Sequence, residues 1–362
     1  MKNWVSHTDR MQCMCHYGHM DQVARVKRYT LDEGKAAGVT ACDVDTGGGF
    51  AYTVLPGRGM DIAYASYRGV PIAYLSKTGI TGPGYHDPRD LQWLKNFFAG
   101  LLTTCGLGNA GPPCRESLPI LGDTPFGLHG DISNTGAAHI CTEAAWQADG
   151  RYCLRVAGQM EEGRFHGEHL RLKREITSYL GEKRLYLWDV FENAGGTAQP
   201  LMFFYHFNIG HPILSEGSRF LAPSRKIWAE TEVSKAGLSG CAHYSAPEAE
   251  VLEQQFFHDL RADQQGKTVV ALVNDRLELG VYLRFSRLEL PCFAQWKVQR
   301  QGEYVHGFEP GICHPIGREA AKREGSLVWL APMERREVRL ELGLLDGAEE
   351  IAALQKEVQD AE

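Results

Sequence analysis

Hydrophobic and polar residues alternate along several stretches of this chain. Leu277, Leu279, Val281, Leu283 and Phe285 fall at every second position of LELGVYLRF. Val338, Leu340, Leu342 and Leu344 do the same in EVRLELGLL. Leu170 and Leu172 alternate in HLRLKREIT, and Leu185 and Leu187 alternate in RLYLWDVFEN with Asp189 next in step. A period of two puts every second side chain on one face, so these stretches predict half-buried strands. Turn-forming stretches such as ENAGGTAQP, TGPGYHDP and GLGNAGPP separate them. Many short strands with such turns predict an all-β fold, a large antiparallel sandwich with few short helices, rather than βαβ units.

Helical spacing is scarce. Leu91, Leu94 and Phe98 suggest one short helix within residues 89–99. Ile351, Leu354 and Val358 form a narrow stripe with acidic residues at its start, which predicts a C-terminal helix over residues 347–362. No repeat, low-complexity tract or Pro/Ser-rich linker interrupts the chain, so a single domain over residues 1–362 is expected.

Composition narrows the function classes. Hydrophobic residues make up 43% and charged residues 23% of the 362, the balance of an ordinary globule with a sizeable core. A net charge of −7 argues against a nucleic-acid partner and leaves a small neutral ligand open. No apolar run reaches membrane-span length, and MKNWVSHTDR lacks the apolar core of a secretory signal, so a cytoplasmic protein without a membrane partner is expected. The ten cysteines are scattered without a CxxC pair, as reduced thiols packed like small apolar groups would be. Cys13, Cys15, His16 and His19 form the one metal-like cluster, but ligands one residue apart suit zinc poorly. His166 and His169 would face opposite ways on a strand. No metal and no cofactor is expected.

The candidate chemistry lies elsewhere. His206 sits in the apolar, strand-like LMFFYHFNIGHP, either as a core residue or lining a cleft. His129 sits in FGLHGD, where flanking glycines let backbone approach a ligand. Glu309, in GEYVHGFEPG, follows an alternating strand and precedes Pro310, at a strand end where function often resides. Arg58 in PGRGMD could bind a ligand or merely form a surface turn. Of Trp296 and Lys297, neighbours in QWKVQ, strand alternation allows only one on the side of Glu309. Thr104, Cys105 and Asn109 lie in a Gly-rich segment that could wall a site, Cys105 more as packing than as nucleophile.

Several of these residues fall into a family pattern. Asn193, Pro200, His206 and Asn208 follow one another as in the central part of the aldose 1-epimerases (galactose mutarotases), which this chain resembles. Leu128-His129-Gly130, Glu309-Pro310 and Leu330-Ala331-Pro332 resemble three further motifs of that family. LPGRGMDI, FAGLLTTCGLGNAG, YHFNIGHP and QWKVQRQGEYVHGFEP resemble more closely its uncharacterised branch, DUF4432. The resemblance implies a galactose mutarotase-like supersandwich binding a small-molecule carbohydrate. It implies His206 as acid and Glu309 as base, with His129, Arg58, Asn208, Lys297 and Trp296 as substrate-binding candidates. An ionised Glu309 would raise the pKa of His206, and the two would face each other across a hollow one sugar wide. The characterised enzymes have a longer spacer than His206-Phe207-Asn208, and their Asn-Arg substrate pair has no clear counterpart here. Two other readings stay open: a sugar-binding or sensing protein without catalysis, and an isomerase or epimerase acting at another carbon. A homo-oligomer is also open.

Overall fold

In the computed structural model, which describes residues 9–361, two antiparallel sheets pack face to face. The first has 12 strands and the second has 8. Six neighbouring strands of the first sheet matter most, in the order Leu102–Leu107, Gln199–Ile209, Glu303–Gly311, Cys292–Arg300, Gln254–Leu260 and Ser224–Trp228. The second sheet runs Ala138–Trp146, Tyr152–Gly163, His169–Tyr179, Arg184–Asn193, Arg335–Asp346, Leu279–Ser286, Lys267–Asn274 and Arg219–Leu221. The fold is the all-β sandwich that the alternating pattern predicts.

The alternating residues do what their period demands. Leu170, Leu172, Leu185, Leu187, Val281, Leu283, Val338, Leu340, Leu342 and Leu344 are all buried. Leu277 is exposed and Leu279 half-buried, because the strand begins only at Leu279. Leucine-rich pattern and sandwich core agree. From the first sheet, Phe203 stacks on Phe191 of the second with centroids 3.8 Å apart.

Polar residues also cross the interface. Arg174, wholly buried, donates from Nη2 and Nε to Asp189 at 2.6 and 2.9 Å. Its Nη1 reaches the first sheet, donating to Thr104 Oγ1 at 2.7 Å and approaching Asp61 Oδ1 at 3.4 Å. Thr104 in turn donates to Asp61 from its backbone N–H and its hydroxyl, at 2.9 and 2.7 Å. The Tyr205 hydroxyl donates to Asp189 Oδ2 at 2.8 Å. Burial works against the Arg174 charge, but Asp189 more than reverses this and its pKa stays raised. Burial pushes Asp61 up to about 7 despite Arg174.

Two helical expectations fare differently. The C-terminal helix forms over Ala348–Asp360 and lays Ile351 and Leu354 on the outer face of the second sheet. Glu362, the last residue of the expected helix, lies outside the described residues. The helix expected within 89–99 is only a 3-10 turn, Gln92–Lys95. Asp90 has φ 48° and Ala99 φ 62°, which no helix admits. Leu91 and Leu94 are exposed, while Trp93 and Phe98 are buried. Among the described residues, no helix is long and apolar enough to cross a membrane.

Arg174→Met is expected to destabilise the fold by about 3–5 kcal/mol, because it strands two buried carboxylates. Urea denaturation followed by tryptophan fluorescence measures this. Asp189→Asn added to that variant should recover part of the loss.

Candidate active site

Strand parity decides which side chains reach the site. Along Gln199–Ile209, Phe203, Tyr205 and Phe207 enter the core between the sheets, so Phe204, His206 and Asn208 take the outer face. The register pairs Phe204 with Gly311 and Phe207 with Phe308, which sets His206 opposite Glu309 on the next strand. Directly opposed residues on antiparallel strands hold their Cβ atoms about 4.5–5.5 Å apart. The result is direct contact, with His206 Nε2 3.3 Å from Glu309 Oε1. No hollow separates them, contrary to the expectation from sequence; adjacent strands are too close to leave one.

Both groups are deeply placed, His206 at 5% and Glu309 at 2% exposure. Burial lowers the His206 pKa to about 4, against a weaker pull upward from the Asn208 amide. The expectation that Glu309 would raise it is overturned, since desolvation outweighs the partner. Burial likewise pushes Glu309 up to about 8, although Gln255 donates to its Oε2 at 3.3 Å and opposes the rise. Between about pH 4 and 8 the pair therefore carries one titratable proton, held on Glu309 beside a neutral His206.

Around the pair stand aromatic rings. Trp296 meets His206 edge-on at 5.0 Å and Phe97 lies 5.3 Å from it. Phe97 stacks on Trp93, whose ring touches His129 at 4.8 Å. His129 also meets Phe204, at 5.2 Å. Its Nδ1 accepts the Gly111 N–H at 3.2 Å, so the ring proton sits on Nε2, which is left as a donor. Burial, and then the nearness of His206, lower its pKa to about 3, so it stays neutral. Gly307 lies beside the pair. A Cβ there would come within 2.9 Å of Trp296 Cβ and 3.4 Å of both Glu309 Oε1 and His206 Cε1.

The remaining candidates separate. Trp296 takes the site face and Lys297 the opposite one, as alternation requires. Lys297 donates to the Gly240 and His243 carbonyls at 3.0 and 2.6 Å, so it does not line this site. Burial lowers its pKa to about 8. Arg58 is 1% exposed and donates to the carbonyls of Ser133, Thr81 and Asn96. It clamps loops instead of contacting a ligand. Asn208 gives its N–H groups to the Ala99 and His206 carbonyls, at 3.2 and 2.8 Å. Its Oδ1 and His206 Nδ1 are both buried without a full hydrogen bond. The N–H groups of Asn208 are thus committed to backbone.

The glycines beside His129 have a different role from the one expected. A Cβ on Gly127 would meet the Pro88 carbonyl at 2.3 Å and one on Gly130 the Gly106 carbonyl at 2.2 Å. They allow backbone to pack on backbone. Asn109 ties the same loops together through the Gly127 and Pro112 carbonyls. Cys105 is buried on the site face, and burial, then Glu309, raises its thiol pKa well above the ordinary range. All ten cysteines are free thiols, and among the described residues no group of three or more His, Cys, Asp or Glu could hold a metal. Cys13 is buried while Cys15 is exposed, so that pair does not converge.

Sequence reasoning missed Gln255, Phe97 and Trp93. Gln255 reaches the site only because its strand pairs it with Trp296, a register no local motif announces.

The fold is that of the galactose mutarotase-like proteins. A "putative aldose 1-epimerase" from Klebsiella pneumoniae superposes with a TM-score of 0.86 at 25% identity, covering 94% of this chain and 90% of that one. A galactose mutarotase-like protein from Clostridium acetobutylicum gives 0.59 at 14% identity, covering 90% and 99%. A galactose 1-epimerase from Lactobacillus acidophilus gives 0.58 at 12% identity, again covering 90% and 99%. The chain belongs to the DUF4432 family, a domain of unknown function, whose pattern matches residues 36–344. No curated protein matches the sequence.

Glu309→Gln provides a test of the burial argument. Its folded pKa is raised to about 8 from an ordinary 4.5, so between those values the fold holds a proton that the unfolded chain releases. Wild-type stability from this group is present at low pH and is lost as pH rises towards 8. The Tm advantage of Glu309→Gln should therefore be larger at pH 8 than at pH 5. An equal offset at both pH values would mean the carboxyl is not desolvated as described.

Proposed function

We propose that this protein is an aldose 1-epimerase, using the one-proton pair of His206 and Glu309 to open and reclose the ring of a reducing sugar. The contact of His206 Nε2 with Glu309 Oε1 at 3.3 Å carries the reading. Mutarotation removes a proton from the anomeric hydroxyl and delivers one to the ring oxygen. These two oxygens share one carbon atom, so an acid and a base whose atoms lie 3.3 Å apart match their spacing.

The step balances within the pair. With the pair's proton on His206, the Glu309 carboxylate takes the anomeric proton and the imidazolium gives its own to the ring oxygen as the C1–O5 bond breaks. An open-chain aldehyde results, and the pair's proton now lies on Glu309. Rotation about C1–C2 exposes the other face, and closure returns both protons to their starting places. No cofactor and no proton from solvent is needed. Burial favours the form with neutral groups, so the step starts from the less populated ion pair and ends on the favoured tautomer, with the proton on Glu309. The His129 Nε2–H would donate to a sugar oxygen and fix orientation, and Trp296 would stack on the ring. The family motifs and the likeness to the Klebsiella protein support this reading.

Polarimetry of freshly dissolved α-glucose, α-galactose and other aldoses tests it. The protein should accelerate the drift of at least one. Glu309→Gln and His206→Ala should each slow it by about 10²–10⁴-fold, the usual worth of a general acid or base. The rate should hold between about pH 4 and 8 and fall outside, where the pair gains or loses its one proton. Binding without acceleration for every sugar tried would point to a sugar-binding protein instead. In heavy water, exchange of a carbon-bound proton would point to epimerisation at another carbon.

A further inference from the structure

A large groove lies on the other side of the sandwich from the pair, over the outer face of the second sheet. Its volume is about 1330 Å³, above the roughly 300–1,000 Å³ of pockets that hold one small ligand. Strand parity builds its floor. Ile176, Leu187, Leu340 and Leu283 point into the core, so their chain neighbours point outwards. Arg155 pairs with Thr177, Thr177 with Tyr186, Tyr186 with Glu341, and Glu341 with Arg284. This row crosses four strand spacings, about 19 Å at about 4.8 Å each. Beside it Trp188 pairs with Glu175 and with Arg339. Glu143 lines one end of the groove, and Glu357 and Asp360 of the C-terminal helix line the other.

The chemistry of this floor narrows what can lie on it. Trp188 is 39% exposed, and the half-buried Tyr179 and Tyr186 stand 6.0 Å apart. These rings offer apolar faces with polar tips. The charges between them are already matched. Arg155 pairs with Glu143 and Glu175 at 3.3 and 2.8 Å, Glu341 with Arg184 at 3.3 Å, Arg339 with Glu337 at 2.8 Å, and Arg284 with Glu357. Carboxylates outnumber cations among the lining residues by seven to four, so the surface repels a polyanion. A cationic ligand would have to compete with arginines for carboxylates already taken. An extended peptide meets a sheet face whose main chain is paired, not the open edge that strand addition requires. What remains is an uncharged ligand, longer than one ring, whose groups both donate and accept. Guanidinium N–H groups, carboxylate oxygens and the Thr177 and Tyr186 hydroxyls answer such groups along the row.

We propose that this groove binds an uncharged oligosaccharide chain, laid along the row from Arg155 to Arg284 with Trp188 against its C–H faces. The site is separate from the His206–Glu309 pair and does not rest on the reading of that pair.

Isothermal titration with maltohexaose, cellohexaose, xylohexaose and mannohexaose tests it. At least one hexasaccharide should bind, at concentrations where its monosaccharide does not saturate the protein. Trp188→Ala should weaken that binding by about fivefold to tenfold, the worth of one aromatic contact, and Trp188→Phe should keep most of it. The exposed position of Trp188 lets the variant keep its fold, which an unfolding curve checks. Affinity should be unchanged from low to high salt, because an uncharged ligand has no charge to screen. Glu309→Gln should leave the binding intact, and Trp188→Ala should leave any mutarotation of monosaccharides intact. The proposal is overturned if no hexasaccharide binds, if Trp188→Ala binds as well as the wild type, or if Glu309→Gln abolishes binding. Salt-sensitive, Trp188-dependent binding of hexalysine in place of every saccharide would also overturn it, in favour of a cationic partner. None of these outcomes depends on whether the protein accelerates mutarotation, so the two readings stand or fall separately.

Discussion

A guanidinium without exposed surface sits at the centre of this sandwich, and the geometry of the outer face depends on it. Arg174 belongs to the second sheet, yet it reaches Thr104 and Asp61 of the first. Asp189, which holds Arg174, also accepts the hydroxyl of Tyr205. Tyr205 immediately precedes His206 and Thr104 immediately follows Thr103, which pairs with His206. The inner-face neighbours of the site are therefore fixed across the sheets by charge-assisted hydrogen bonds, which are directional where apolar packing is not. Desolvating such a cluster is costly, and replacing it with apolar groups could equal its stability. Its evident product is position. A strand held this way cannot slide or twist freely, and a slip of one residue would turn His206 into the core.

That constraint explains why the candidate pair is so simple. No loop has to fold over, and no motif has to bend, to bring an acid and a base together. Two antiparallel strands in the right register place residues 103 positions apart at hydrogen-bond distance. The cost appears as burial: the aromatic rings that shape the site also remove water from it, and both groups are driven towards their neutral forms. Gln255 on one side and Asn208 on the other moderate that drive without cancelling it.

Much of the architecture could be read from the chain because its cause is local. Period-two patterns in HLRLKREIT, RLYLWDVFEN and EVRLELGLL report a half-buried face wherever they occur, and those strands form as expected. The C-terminal stripe of Ile351 and Leu354 reports its face in the same way. The site was legible only in part. His206, Glu309 and His129 stood out through motifs and do gather on one face. Arg58 and Lys297 were misjudged because a charged residue beside glycines or in a strand looks available until its partners are known. Those partners, the Thr81 and Asn96 carbonyls for Arg58 and the Gly240 and His243 carbonyls for Lys297, are 23 or more residues away in sequence. The false helix at 89–99 fails for the same reason. Its apolar spacing was real, but the loop uses Trp93 and Phe97 to wall the site rather than to complete a turn.

The losses of Arg58 and Lys297 from the site change its chemistry. Both cations are committed to backbone carbonyls, His129 is held neutral, and the His206–Glu309 pair carries no net charge with its single proton. Immediately around the pair stand aromatic rings and uncharged groups, with the Glu253 carboxylate behind them accepting the Trp296 Nε1–H at 3.0 Å. Such a surface gains little from an anionic ligand, because nothing nearby would offset the desolvation of a phosphate or carboxylate. The same burial that keeps the pair neutral thus also disfavours an approaching charge, and both effects follow from one physical cause.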